Sequence, residues 1–387
     1  MAVGATEIAT GKIREAIKYN GAYETLCFLG GIGIGKTAAV QEAYPELYPE
    51  LVRQVAEARG ITIEPEGFEF FERRAGEYDV LDYAGMPVPV ALDDGVKVGK
   101  PQAYLQKRAQ SDLWPGAGQD KKVWGVLFLD EFPQADRIKQ TVMQRAFDAG
   151  YIGDWVVPGH PKSDPNCERG LVFIVLAGNR QSDRANSHGI GWQTANRLLQ
   201  YNVVSEPVGW MKWAIDHGVH PAVIALVKFY PEYLHKVDHK QKSDLQACPT
   251  PRSLVKLSDA TYRDLPREIE FSTYAGLVGE ECARAYLAML DASRGVDFEA
   301  ILRGDPMTAP IPGQAAHQYG VAAALTRYVE DDTFSNVISY LSRVGDGDFV
   351  SPELLVFAVE AIVQKHPHLC ETPEFTAYAL KYTEFRA

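Results

Sequence analysis

The stretch FLGGIGIGKTAAV, Phe28 to Val40, sets Gly30, Gly31, Gly33 and Gly35 within six positions and follows them at once with Lys36 and Thr37. Glycine has no Cβ, so a loop rich in it can curl and turn successive N–H groups towards one point, which makes a cradle for an anion. A helix starting at Lys36 adds its unpaired N–H groups and the positive end of its dipole. In that setting the backbone of Gly30, Gly31, Ile32, Gly33, Ile34, Gly35 and on to Ala38 wraps phosphates. Lys36 reaches the terminal phosphates of a nucleoside triphosphate, and the Thr37 hydroxyl ligates Mg²⁺. Every fixed position of G-x-x-x-x-G-K-[ST] is met, and the apolar run Thr25 to Leu29 ahead of it suits the buried strand that such a loop requires.

A second group of residues supplies what hydrolysis needs. Cleaving a phosphoanhydride calls for a metal to neutralise the phosphates and a group that orients and deprotonates water. Asp130 and Glu131 close the apolar run Val126 to Leu129, where Asp130 would hold Mg²⁺ through water and Glu131 would activate the nucleophile. Alone, an acidic pair after a strand is more often a helix cap. With the glycine loop it points to an ATPase using ATP and Mg²⁺.

These residues need elements to carry them. Residues 5–19 read as a helix, 36–44 as the helix after the loop, 67–75 as a strand and 100–114 as a helical segment. Val123 to Phe132 reads as a central strand, with an amphipathic helix after it whose Ile138, Val142, Met143, Ala146 and Phe147 share one face. Gly150 to Pro158 reads as a hairpin, LVFIVLAGN as an apolar strand and Leu198 to Val204 as a shorter one. Short apolar strands alternating with helices imply a parallel sheet covered on both faces, a three-layer α/β sandwich. From about Pro207 the chain turns helical. The Pro- and Gly-rich stretch Leu302 to Gln314 reads as a linker.

A chain of 387 residues can hold two or three domains, and 46% hydrophobic with 23% charged residues is ordinary for a globular protein. The longest apolar run, Leu171 to Ala177, is too short to cross a bilayer, and the first twenty residues carry no secretory-type apolar segment, so no membrane association is expected. Five scattered cysteines argue for a reducing, cytoplasmic setting. The net charge of −12 disfavours nucleic acid as a partner. Residues 294–387 hold 7 basic and 13 acidic side chains, a candidate docking face for a basic partner. His217, His220, His235 and His239 have spacings a metal could use, but only Asp238 and Cys248 lie near as further ligands and the surrounding sequence reads as a polar loop, so zinc is not expected there.

The order GGIGIGKT, VLFLDEF, VLAGNR, ANRLLQY and PTPRS resembles the AAA+ ATPases, in particular the MoxR-like, dynein-related branch. LDYAGMPV, GYIGDWVVPGH and W-x-x-W-A-I-D-H-G-V-H-P fall where that branch has similar segments, and the resemblance runs over about residues 5–270. It implies a P-loop NTPase domain at 1–206, with an insertion-bearing segment at 45–122, a helical lid at 207–293 and a helical C-terminal region at 294–387. It further implies that Asn179 positions the attacking water with Glu131. Arg197 is then an arginine finger offered to a neighbouring subunit, and Arg252 a sensor reaching from the lid to the terminal phosphate. A finger acting in trans implies a homo-oligomeric ring, a hexamer. Members of the branch remodel client proteins, often ones with a von Willebrand A domain. The chain departs from the pattern in two ways: 93 residues separate Lys36 from Asp130, and Arg180 and Arg184 lie near Asn179, leaving Arg184 a rival finger. Two alternatives use the same core: a motor or loader on nucleic acid, and a nucleotide-gated assembly module with negligible turnover.

Overall fold

The computed structural model describes residues 6–84, 86–89, 106–109, 113–117, 121–153, 155–183, 188–237, 247–263, 265–294, 296–313, 315–345, 356, 358–360, 362–363 and 366–381. The chain forms two compact units, Met1–Val204 and Ser205–Ala387.

In the first unit the strands are β1 (Thr6–Ala9), β2 (Leu26–Gly30), β3 (Glu69–Arg74), β4 (Met86–Pro89), β5 (Gln106–Ala109), β6 (Val123–Asp130), β7 (Tyr151–Ile152), β8 (Trp155–Val156), β9 (Gly170–Gly178) and β10 (Leu199–Val204). The helices are α1 (Ile13–Asn20), α2 (Lys36–Arg59), α3 (Val80–Ala84), α4 (Arg137–Asp148) and α5 (Trp192–Ala195). Six strands make one sheet in the order β1-β10-β2-β9-β6-β3, and every pairing in it is parallel. The chain leaves β2 towards β3 on one side and returns from β9 to β10 on the other. Open parallel sheets bind ligands beyond the strand ends where the connections part in this way.

β9 along its whole length and β6 as far as Leu129 carry no charged or polar side chain because both of their faces are covered. On β6 and β9, Val126, Phe128, Phe173 and Val175 join Val40, Tyr44, Tyr48 and Leu51 of α2 in one core. The alternate residues Leu127, Leu129, Ile174 and Leu176 join Met143, Ala146 and Phe147 of α4 in the other. Period-two alternation within an all-apolar run is thus what builds three layers. The unit is an α/β sandwich of the P-loop NTPase type, as the strand and helix pattern leads one to expect.

Some local expectations give way to tertiary pairing. Thr6–Ala9 is a strand, not the start of a helix, because it completes the sheet edge against β10 from Thr6↔Tyr201 to Ala9↔Val204. The helix after the glycine loop runs past Pro45 and Pro49 to Arg59. Both prolines fall on its exposed face, four residues apart, where the carbonyls they leave unbonded can meet water. The opposite face, with Leu47, Tyr48, Leu51, Val52 and Val55, is buried and holds the helix together. Within 100–114, residues Gln106–Ala109 are a strand paired antiparallel with Met86–Pro89, so these four are not helical; 100–105 and 110–112 lie outside the described residues. The hairpin at 150–158 is present as β7 and β8. Trp155 stacks on Trp114 at 4.9 Å between centroids and donates its Nε1–H to Pro115 O, while the Trp114 Nε1–H goes to Tyr83 O.

The second unit is helical: α6 (Pro207–Asp216), α7 (Pro221–Phe229), α8 (Pro251–Thr261), α9 (Arg267–Val278), α10 (Glu280–Arg294), α11 (Phe298–Leu302), α12 (Ala315–Tyr328), α13 (Phe334–Gly345) and a last helix, Pro373–Lys381. One hydrophobic cluster runs through it from Ala214 to Tyr378, so residues on both sides of 294 share a core. Residues 302–313 of the expected linker are built into that unit rather than serving as a linker, and Gln314 lies outside the described residues. Ala309 is buried, Tyr340 Oη donates to Pro310 O at 2.9 Å, and the Arg343 guanidinium donates to Pro306 O and Ala309 O. Among the described residues, no helix is long and apolar enough to cross a membrane.

Two substitutions separate the packing of the first unit from its polar content. Phe128 is fully buried between strand neighbours and α2, and Phe128→Ala is expected to cost about 3–5 kcal/mol in denaturant unfolding. The Tyr44 hydroxyl is buried with no hydrogen-bond partner among the described residues, and burial pushes its pKa far up. Tyr44→Phe is therefore expected to be neutral or stabilising by up to about 1 kcal/mol; a loss larger than that would mean the hydroxyl has a partner.

Candidate nucleotide site

The glycine loop follows β2 and ends at Gly35, whose φ of 91° is left-handed, as is the 72° of Gly33. Side chains avoid these angles, and alternating them with ordinary ones brings successive N–H groups to a common side. Ile34 is buried in the α2 face of the core and fixes the loop's middle. Thr10, just after β1, adds a tie that the sequence alone does not announce: its Oγ1 lies 3.2 Å from both Ile34 O and Val204 O, joining the loop to the end of β10.

Lys36 opens α2 and is only 8% exposed. A buried ammonium needs partners. Its Nζ donates to Gly30 O and Gly31 O at 2.9 Å each and to Asn179 Oδ1 at 3.4 Å. Next to it, Thr37 Oγ1 donates to Asp130 Oδ2 at 2.9 Å. These contacts bring residues from the ends of β2, β6 and β9 to one place. Because β9 lies between the other two strands, Asn179 stands between the glycine loop and the acidic pair. Ile32 and Ala38 are exposed on the loop and the first helical turn.

Asp130 is the last residue of β6, and its Oδ1 accepts the N–H of Glu131 at 2.8 Å. Glu131 has φ 55°, left-handed for a residue with a side chain, an arrangement that costs about 1 kcal/mol or more and concentrates at functional sites. The turn is held from both sides: Gln134 N–H donates to Glu131 O at 2.8 Å, and Gly178 lets β9 come so close that a Cβ there would lie 2.2 Å from Pro133 Cδ.

The donor set suits a hard divalent cation beside a polyphosphate. Thr37 Oγ1 and the Asp130 carboxylate are oxygen ligands of the type Mg²⁺ takes, one of them able to act through water, and the glycine backbone with Lys36 supplies positive charge for the anion.

The arginines are distributed differently. Arg180 is committed within its own unit: its guanidinium pairs with Asp183 at 3.1 Å and donates to Asn202 Oδ1 at 2.8 Å. Arg197 lies two residues before β10, which starts at Leu199 and not at Leu198 as the sequence leads one to expect, and its Nε lies 3.0 Å from Asp148 Oδ2 while Nη1 donates to Gln193 O. Hydrogen bonds from Lys162 and then Arg197 hold the Asp148 carboxyl below its usual pKa. Arg184 lies outside the described residues. Arg252 belongs to the other unit, exposed in the first turn of α8, where Thr250 and Ser253 form a reciprocal cap. Of the histidines with metal-like spacing, His220 caps α7 by accepting the Ala222 N–H at Nδ1, and His217 stacks on Trp213 at 4.3 Å; His239 lies outside the described residues.

No family model and no curated protein matches this chain. Among solved structures, a point mutant of RuvB from Thermotoga maritima is 13% identical over 86% of this chain and 85% of its own, with a TM-score of 0.31. NtrX from Brucella abortus in complex with ATP is 13% identical over 98% of this chain and 67% of its own, with a TM-score of 0.32. Superpositions this loose leave the chemistry to be read from the side chains.

The Thr10 tie can be tested without a ligand. Thr10→Val is expected to speed amide hydrogen exchange at Ile34 and Gly35 while leaving global stability within about 1 kcal/mol; unchanged exchange at these amides would show that Ile34 packing alone holds the loop.

Proposed function

We propose that the chain is an AAA+ ATPase of the MoxR-like type that hydrolyses ATP with Mg²⁺ and uses the energy to remodel a partner protein from within a homo-oligomeric ring. The observation that carries the reading is the pair of contacts Thr37–Asp130 and Lys36–Asn179, which join the phosphate loop to the ends of β6 and β9.

In this reading the glycine backbone and the N-terminus of α2 bind the phosphates, and Lys36 exchanges its loop carbonyls for phosphate oxygens. Thr37 and Asp130 would hold Mg²⁺, whose charge offsets that of the phosphates. Glu131 takes a proton from the attacking water, and Asn179 orients that water. Asn179 directly follows β9, the strand between loop and base, a position suited to a group that reports on the terminal phosphate.

Arg197 is the finger the reading favours over its rival Arg184 because it lies just ahead of β10, while the Arg180 guanidinium is engaged by Asp183 and Asn202. To act on a neighbour's nucleotide, Arg197 exchanges Asp148 for a phosphoryl oxygen. Its planar donors suit the charge that spreads over the transferred group. Arg252 is assigned the second sensor role from the helical unit. The ring, its six-fold count, the client and a von Willebrand A domain in that client follow from the resemblance in motif order. The acidic net charge favours a protein client over nucleic acid.

Two experiments test the chemistry. Glu131→Gln is expected to bind ATP yet lose at least about a hundredfold in steady-state phosphate release, and undiminished turnover would remove Glu131 from the mechanism. Arg197→Ala and Lys36→Ala are each expected to be inactive alone and to recover part of the activity when mixed, because each supplies what the other lacks at a shared site. No recovery in a preparation that exchanges subunits would exclude Arg197 as a finger in trans.

A further inference from the structure

The helical unit holds a cluster that the nucleotide chemistry does not use. Among the described residues there is one grouping of three histidine, cysteine or carboxylate donors, Asp331, His366 and His368, whose ligand atoms all lie within 4.8 Å of one another. His368 Nε2 and Asp331 Oδ1 are 2.7 Å apart, whereas His366 Nε2 is buried and has no hydrogen-bond partner among the described residues.

We propose that these side chains bind one borderline divalent transition-metal ion, Zn²⁺ being the best match, as a cross-link between the α12–α13 turn and the segment after residue 365. Two imidazole nitrogens and one carboxylate are the donors that zinc accepts, and with three protein ligands a fourth position is left for water. Mg²⁺ and Ca²⁺ prefer all-oxygen sets and are disfavoured here. Tetrahedral zinc with bonds of 2.0–2.1 Å places its ligand atoms about 3.3 Å apart, so modest rotation of the two rings closes the cluster onto an ion.

The three donors stand on backbone that is already fixed. Asp331 lies in a turn where Thr333, buried, accepts the Glu330 N–H at 2.8 Å through Oγ1 and returns its hydroxyl to Glu330 O. On the other segment, His366 N–H donates to Ile362 O at 2.9 Å and His366 O accepts the Leu369 N–H at 3.1 Å, with Leu369 buried beneath. Pro367 between the two histidines removes a φ freedom that metal binding would otherwise have to freeze. A surface ion pair between His368 and Asp331 accounts for two of the groups, but exposed pairs contribute about 0–1 kcal/mol and this one leaves the buried His366 nitrogen unsatisfied. A shared cation satisfies all three.

The test uses the full chain stripped with EDTA and titrated with Co²⁺, followed by absorption, and with Zn²⁺ in competition with a chromophoric chelator. One saturable equivalent is expected, together with a metal-dependent rise in Tm. His366→Gln and His368→Gln should each weaken binding by at least about tenfold. Running the titration in excess Mg²⁺, which the oxygen donors Thr37 and Asp130 accept and two imidazoles do not, separates this site from the phosphate loop. His368 is exposed, so His368→Gln keeps the test decisive even if His366→Gln disturbs folding. No saturable binding at millimolar Zn²⁺, or affinity unaltered in His368→Gln, overturns the proposal.

Discussion

The parallel pairing of β2, β9 and β6 is the constraint on which the rest depends. A parallel sheet ends all its strands on the same side, so three chain segments far apart in sequence deliver their next residues to one rim. The register from Leu26↔Val175 to Leu29↔Gly178, and from Val123↔Gly170 to Leu129↔Leu176, decides which residues those are. A slip of one position would turn every core side chain to the other face and separate Lys36 from Asn179 and Thr37 from Asp130. The apolar alternation that holds the register is thus also what positions the polar groups.

Those polar groups are costly in themselves. A largely buried ammonium, two adjacent carboxyl groups and a left-handed glutamate all work against folding unless something compensates. Compensation is local and complete enough to read: carbonyls for Lys36, a hydroxyl and an N–H for Asp130, and a turn closed by Gln134 for Glu131. Each partner is a group that a phosphate, a cation or a water can replace. A site whose native contacts are exchangeable in this way is stable without its ligand and still able to take one.

Much of this was legible in the sequence because the signals were chemical and local. Four glycines before Lys36 and Thr37 specify a loop type almost by themselves, and VLFLDEF and LVFIVLAGN show buried strands ending in polar groups. What could not be read depended on contacts made elsewhere. Thr6–Ala9 becomes a strand only because β10 is there to pair with it, and α2 survives Pro45 and Pro49 only because its far face is buried. The segment 302–314 has a linker's composition, yet its carbonyls are used by Tyr340 and Arg343 from a helix thirty residues on. Thr10 and the Asp331–His366–His368 cluster have no sequence signature, since a lone threonine and a separated aspartate acquire meaning only once the chain has folded.

The central claim is that the rim formed by β2, β6 and β9 clasps a magnesium-bound nucleoside triphosphate. Isothermal calorimetry of the wild-type chain with ATP, in the presence and absence of Mg²⁺, tests it most directly. The geometry predicts saturable binding of one nucleotide per chain that tightens when Mg²⁺ is present; absence of binding at millimolar ATP with Mg²⁺ would contradict it.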